Sequence, residues 1–301
     1  MEDKESAGSP TRSRETVGRV DRVPVRALLC DLDGVVYRGA EPCPGAPEGL
    51  ARARALGLRI LFLTNNAGHT PEGVAEHLNR LGVEARPEEV LTSSVVAADH
   101  LAHLVATGEV TPPEGAVLLA VGGPGVRAAL ERAGLPVVSA ADMAHGSVPP
   151  VWAVVQGYGR DVNVRDLTEA TYAVNEGALW VATNADRTLP SERGFAPGNG
   201  SLLAAVATAT GRQPDLVVGK PHAPAYERSL AILQEPAEAV LAVGDRLETD
   251  IEGAKRAGLR TVLVTTGVHG PDDAAAAPPE RRPDRIVATL GDLDLVGVAA
   301  R

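Results

Sequence analysis

Short apolar runs that stop abruptly at polar clusters set the rhythm of this chain. Residues 25–30 form the first run and end at Asp31, so they predict a buried strand feeding the loop Asp31-Leu32-Asp33-Gly34-Val35-Val36-Tyr37. A helix is predicted over residues 48–56, ended by Gly57, whose tolerance of positive φ suits a helix terminus. Residues 59–63 make a second run, halted at Thr64-Asn65-Asn66. The next helix opens with Thr70 as cap, Pro71 as first residue and Glu72 at the positive end of the dipole, and Gly82 closes it.

The rhythm returns near the C-terminus. Residues 239–243 predict a strand ending at Gly244-Asp245, a helix runs from about Asp250 to Gly258, and residues 261–264 predict another strand. Strand, polar loop, helix, strand at this spacing is the pattern of a parallel sheet covered by helices, and such sheets bind ligands beyond the carboxyl ends of their strands. Every polar cluster named so far sits at such an end. The middle of the chain has its own apolar runs at 116–121, 151–155 and 179–183. These predict a second α/β unit inserted into the first. The expected organisation is a disordered leader over 1–22, a core built from 23–94 and 214–301, and an inserted cap over 95–213. Residues 269–283, with four consecutive alanines and several prolines, read as a loose surface loop.

Composition narrows the function classes. With 301 residues the chain can bury one large core or two modest ones, and 44% hydrophobic with 23% charged residues is ordinary for a soluble globular protein. Only 3% of residues are aromatic, which leaves Ala, Val and Leu to build the core and argues against a base-stacking surface. A net charge of -10 repels phosphate backbones, so nucleic acid is excluded as a partner, and a small anionic substrate needs a local positive site. Cys30 and Cys43 are too few for a disulfide framework and fit a reducing cytoplasm. No apolar stretch reaches the ~18 residues of a membrane span.

Four clusters carry candidate chemistry. Asp31-x-Asp33-Gly34 concentrates two carboxylates in a tight turn, which suits either solvated acids or a magnesium site with a nucleophile; the calcium-loop pattern fails here. Gly244-Asp245-Arg246-Leu247-Glu248-Thr249-Asp250 offers two more carboxylates, or simply a capped helix start. Lys220 in Gly219-Lys220-Pro221 can reach inward as a fixed positive charge, and Thr64-Asn65-Asn66 supplies small donors for phosphate oxygens.

Taken in chain order, Asp31-Leu32-Asp33-Gly34 first, Thr64-Asn65-Asn66 second, Gly219-Lys220-Pro221 third and Gly244 to Asp250 fourth, the four clusters resemble the motifs of the haloacid dehalogenase superfamily of phosphatases, and they span almost the whole chain after the leader. The gap between the second and third implies a large α/β cap of the C2 type over a Rossmann-like parallel-sheet core. Within it, Thr183-Asn184-Ala185-Asp186-Arg187-Thr188-Leu189-Pro190 and Pro197-Gly198-Asn199-Gly200-Ser201 look like the phosphatases of phosphoglycolate, glycerol phosphate, pyridoxal phosphate and 4-nitrophenyl phosphate. The resemblance implies that Asp31 attacks phosphorus, that Asp33 serves as acid and then base, and that Thr64 and Lys220 hold the phosphoryl oxygens. It also implies Mg2+ held by Asp31, the backbone carbonyl of Asp33 and Asp245, with Asp250 at the metal's edge or behind it. Gly34, Asn65, Asn66, Asp186, Arg187 and Pro190 are the expected substrate contacts.

The expected activity is therefore hydrolysis of small phosphate esters, glycerol 3-phosphate or 2-phosphoglycolate first, with pyridoxal phosphate or nucleotide and sugar phosphates as alternatives. A homodimer through the cap is expected from the resemblance. Asp33 favours a phosphatase over the pump branch, which carries threonine there, and residues 34–63 are too few for the helical cap of mutases. A phospho-receiver module is the rival from another class; it would label once, where an enzyme turns over. Other features take plainer readings: Gly122-Gly123-Pro124-Gly125 as a strand-to-helix turn, His100 and His103 as an exposed helix face, Cys30 as core, and His222 at most at the rim of the site.

Overall fold

Six parallel strands form the central sheet, in the order Arg285–Val287, Arg260–Val264, Val240–Gly244, Ala27–Cys30, Arg59–Thr64, Val90–Thr92. The computed structural model describes residues 24–143, 149–191 and 193–295, so the expected leader over 1–22 lies outside the described residues. Every residue of Ala27–Cys30 is buried, as a strand covered on both faces requires, and this explains its unbroken apolar run. The strand order reverses at Ala27–Cys30, and at such a switch point the neighbouring loops part and leave a crevice. Cys30 lies level with Phe62 on one side and Val243 on the other. Asp31, Thr64 and Asp245 therefore leave adjacent strands at the same edge.

The inserted unit is a five-stranded parallel sheet: Leu216–Val217, Leu179–Ala182, Val151–Gln156, Val117–Val121, Val137–Ser139. Its edge strand comes from residues just before the third motif. The α/β architecture, a Rossmann-like core carrying an inserted α/β cap, is what the chain adopts. One apolar cluster runs through both sheets, joining Leu29, Leu61 and Leu63 to Leu118, Val155 and Val181.

Gly122-Gly123-Pro124-Gly125 is the expected turn between Val117–Val121 and the helix Pro124–Arg132. It does more than turn the chain. A Cβ on Gly125 would overlap the carbonyl oxygens of Ala67 and His69, so glycine lets the cap's backbone rest directly on the loop after Arg59–Thr64.

Residues 269–283 depart from the expected loose loop. They form the helix Pro271–Ala276 and a short 3-10 turn at Pro279–Arg281. Pro271 suits the first helical position, Asp273 Oδ2 accepts from Gly270 N at 2.8 Å, and the alanines propagate the helix. Ala274 and Ala277 are buried against Leu247, Ile251 and Leu263, a face the alanine run concealed in sequence. A hairpin, Thr188–Ser191 with Gly194–Pro197, was also not evident in the apolar pattern. Among the described residues no helix is long and apolar enough to cross a membrane.

Candidate active site

The loops at the switch point floor a cavity of about 1000 Å³ that the cap covers. Asp31, Asp33, Thr64, Asn65, Asn66 and Lys220 line its floor, and Asp186 comes in from the cap. Asp31 is placed by its N–H, which donates to Val243 O at 2.9 Å and continues the strand ladder by one residue. Lys220 is buried and its Nζ donates to Asp31 Oδ1 at 2.6 Å and Asp250 Oδ1 at 2.7 Å. Burial works against the charged lysine, but Asp250 and Asp31 outweigh it and hold its pKa well above the ordinary value. Lys220 is thus a permanent ammonium.

Three carboxylates converge beside it. One oxygen each from Asp31, Asp245 and Asp250 lies within 4.8 Å of the others. Burial, then repulsion from Asp250, raises Asp31 well above the usual carboxylate range despite Lys220. Burial and Asp250 likewise push Asp245 up to about 6. Asp245 Oδ2 accepts from Val268 N at 2.9 Å, while its buried Oδ1 has no partner among the described residues. An orphaned carboxylate oxygen in an acidic cluster is the donor set a divalent cation satisfies, and all-oxygen ligands suit magnesium. Asp250 differs from the other two, because Lys220 takes its Oδ1 and the N–H groups of Asp245 and Arg246 take its Oδ2. The carboxylate of Asp33 is not one of the three.

Asp33 is exposed to the cavity it lines, and the protein around its carboxylate thins its hydration enough to raise its pKa, against the pull of Lys220 and Arg246. Gly34 shapes this turn rather than offering a free donor. Its φ is 81°, its N–H donates to Tyr37 O at 2.8 Å, and its carbonyl accepts from Thr266 Oγ1 at 2.6 Å. A Cβ at Gly34 would stand 2.8 Å from Asp245 Cγ, so only glycine lets the first and fourth motifs touch.

Thr64 ends its strand buried, with its hydroxyl accepting from Asn66 N at 3.1 Å. Asn66 Oδ1 accepts from Gly68 N at 2.9 Å, closing the turn. Asn65 binds Lys220 and Asp186 rather than open space. Burial raises the pKa of Asp186, and the hydrogen bond from Asn65 opposes it. Arg187 is exposed and does not line the cavity; its carbonyl accepts from Gly198 N and Ser201 Oγ. Pro190 pairs through its backbone with Phe195, and its side chain lies outside the described residues.

The structure adds cavity residues that the motifs did not reveal: His69, Tyr158, Arg160 and Arg246. Tyr158 and Arg160 follow the strand Val151–Gln156, so the same strand-end rule that found Asp31 would have found them. Arg246 sits inside the fourth motif, where it read as a spacer. Cys30 is core, as expected, and burial raises its thiol pKa.

A family model of haloacid dehalogenase-like hydrolases matches residues 28–136, and a model of HAD-hydrolase-like proteins matches residues 217–293. The chain is 46% identical over 267 residues to a D-glycerol 3-phosphate phosphatase of Mycobacterium tuberculosis, covering 88% of this chain and 70% of that protein. It is 36% identical over 248 residues to an acid sugar phosphatase of Staphylococcus aureus, covering 82% and 89%. The crystal structure of a glycerol phosphate phosphatase from Mycobacterium tuberculosis in complex with magnesium superimposes with a TM-score of 0.78 at 43% identity, covering 90% of this chain and 76% of that one.

Proposed function

Because the chain belongs to the haloacid dehalogenase-like hydrolases and is a phosphatase of that family, we propose that it hydrolyses small phosphorylated polyols through an aspartyl-phosphate on Asp31. The observation that carries this reading is the convergence of Asp31, Lys220, Asp245 and Asp250 at one strand edge beneath a covered cavity.

Lys220 engages Asp31 Oδ1 and leaves Oδ2 to attack. In line with the leaving oxygen, Oδ2 forms a bond to phosphorus as the P–O bond to the alcohol breaks. Asp33, at the cavity floor, gives a proton to the departing alkoxide. The carboxylate so produced then takes a proton from water, which attacks the acyl phosphate, frees Asp31 and releases inorganic phosphate. In this reading Lys220 Nζ and the Thr64 hydroxyl meet the equatorial oxygens as these gather charge. Asp31 and Asp245 would hold magnesium, with Asp250 fixed behind them; the ion supplies the charge neutralisation that lets a carboxylate approach a phosphate ester.

The preferred substrate in this reading is glycerol 3-phosphate. Asp186 brings a carboxylate into the cavity, which accepts hydrogen bonds from hydroxyls and repels a carboxylate such as that of 2-phosphoglycolate. The similarity to a D-glycerol 3-phosphate phosphatase supports the same choice. Sugar phosphates are the second reading, favoured by a cavity of about 1000 Å³ and the similarity to an acid sugar phosphatase. The reading keeps the expected cap, 95–213, and extends it by the strand Leu216–Val217, which pairs with the cap sheet; it also keeps a cytoplasmic location suited to the buried thiols Cys30 and Cys43, and a homodimer through the cap, which light scattering tests.

Phosphate release from a panel of small esters, with magnesium or EDTA, tests the proposal. Magnesium-dependent turnover, led by glycerol 3-phosphate and abolished in Asp31→Asn, is the expected result. Turnover that survives in Asp31→Asn would overturn the nucleophile. A single labelling event without turnover would favour a phospho-receiver.

A further inference from the structure

Asn65 has no polar side-chain atom left over for substrate. Its Oδ1 accepts from Lys220 N at 2.8 Å, and its Nδ2 donates to Lys220 O at 3.1 Å and to Asp186 Oδ2 at 3.1 Å. Its carbonyl accepts from Ser93 Oγ and Asn184 Nδ2, both at 2.8 Å. The partners lie on separate stretches of chain: Lys220 follows Leu216–Val217, while Asn184 and Asp186 follow Leu179–Ala182. The close approach depends on Gly219, where a Cβ would stand 2.6 Å from Asn65 Oδ1 and overlap Thr183 O.

Lys220 is therefore held at both ends. Asp31 and Asp250 fix its ammonium, and the Asn65 amide fixes its main chain by bonding N–H and C=O of the same residue. The same Nδ2 fixes one oxygen of Asp186 and leaves the other to meet a ligand. Asn184 reinforces the arrangement, since its Oδ1 accepts from Asp186 N at 3.1 Å while its Nδ2 holds Asn65 O.

We infer that Asn65 is a positioning residue that ties leaving-group recognition to catalysis, one amide holding both the main chain of Lys220 and the carboxylate of Asp186. The inference rests on the function proposed above, in which Lys220 steadies the phosphoryl group and Asp186 meets the leaving alcohol. Losing the amide frees both groups at once, and misplacement of a catalytic group by about 1 Å costs on the order of a hundredfold in rate.

The test is a double-mutant cycle of Asn65→Ala and Asp186→Ala, read on glycerol 3-phosphate and on p-nitrophenyl phosphate, whose leaving group lacks alcohol hydroxyls. Asp186→Ala is expected to raise KM for glycerol 3-phosphate by more than KM for p-nitrophenyl phosphate. Asn65→Ala is expected to lower kcat on both substrates by about tenfold or more, through Lys220, and also to raise KM for glycerol 3-phosphate. The double variant should show a KM no higher than Asp186→Ala alone, because the amide acts on recognition through that carboxylate. Asn65→Asp serves as the near-isosteric second variant: it keeps the acceptor for Lys220 N and loses the donor. It should retain more kcat on p-nitrophenyl phosphate than Asn65→Ala while raising KM for glycerol 3-phosphate. Wild-type kcat on p-nitrophenyl phosphate in Asn65→Ala, or KM effects that multiply in the double variant, would overturn the inference with the proposed function intact. A wild-type protein without magnesium-dependent turnover on either ester would remove the proposed function, and this inference with it.

Discussion

Asp245 shows how much a single residue's surroundings decide. In sequence it is a carboxylate after a glycine; in the fold it is 1% exposed, with Oδ2 bonded to Val268 N and Oδ1 without a partner among the described residues. A cation that satisfies Oδ1 binds the folded chain and not the unfolded one, so magnesium should stabilise the protein by linkage. At a hundredfold excess over its Kd the gain is about 2.7 kcal/mol. Thermal unfolding with and without magnesium checks this without any turnover, and Asp245→Asn should erase most of the rise. An undiminished magnesium response in Asp245→Asn would remove Asp245 from the metal site. At this scale the cavity-lining residues Asp31, Asp33, Thr64 and Lys220 were legible through the motifs they form together, not through any one cluster taken alone. The sequence pointed to Asn65 only as a substrate contact and gave no sign of its bonds to Lys220 and Asp186, since an amide can face a ligand or brace a loop with equal chemistry. Arg187 shows the same limit: nothing local tells which way a loop side chain turns.

The segment around Glu89 illustrates the element scale. Arg54, on the helix Ala46–Ala55, donates to both oxygens of Glu89 at 2.7 and 2.9 Å, and Arg86 N donates to Oε2 at 2.9 Å. The pair pins that helix to the turn leading into the strand Val90–Thr92. Burial alone would raise the Glu89 pKa, but Arg54 and Arg86 outweigh it and hold the carboxylate below its ordinary value. A depressed folded pKa gives stability that is present above the unfolded value of roughly 4.3 and is lost as pH falls through the folded one. Glu89→Gln should therefore cost about 2 kcal/mol at pH 7. The gap to wild type in urea unfolding should narrow as pH drops below roughly 4.3. A gap that is unchanged at low pH would show that the ion pair is not its source. Helices and central strands were legible here because periodicity and capping residues act locally. The helix Pro271–Ala276 was not, since its apolar face consists of alanines that only gain meaning against Leu247 and Leu263.

At the scale of the whole molecule, the cap and the core share one apolar cluster and meet through glycines. Gly125 lies against the carbonyls of Ala67 and His69, one turn of chain after Thr64, so the roof of the cavity is referenced directly to its floor. Gly125→Ala should force the two apart. The expected result is a loss of about 2 kcal/mol in chemical unfolding. A variant as stable as wild type would mean that the contact yields without strain. The sequence by itself determined the α/β class and the existence of an inserted unit, which follow from short-range patterning, and its resemblance to a known family pointed to Asp31, Asp33, Thr64, Lys220 and Asp245 as the residues to look for. Only the tertiary structure decided that Asp31, Asp245 and Asp250 share one site, that Asp250 is already occupied by donors, and that Asn65 joins Lys220 to Asp186. Those contacts close between residues from 30 to about 220 positions apart or hang on which oxygen a backbone N–H reaches, and such distances are set by how the strands order in the sheet, not by any neighbour in the chain.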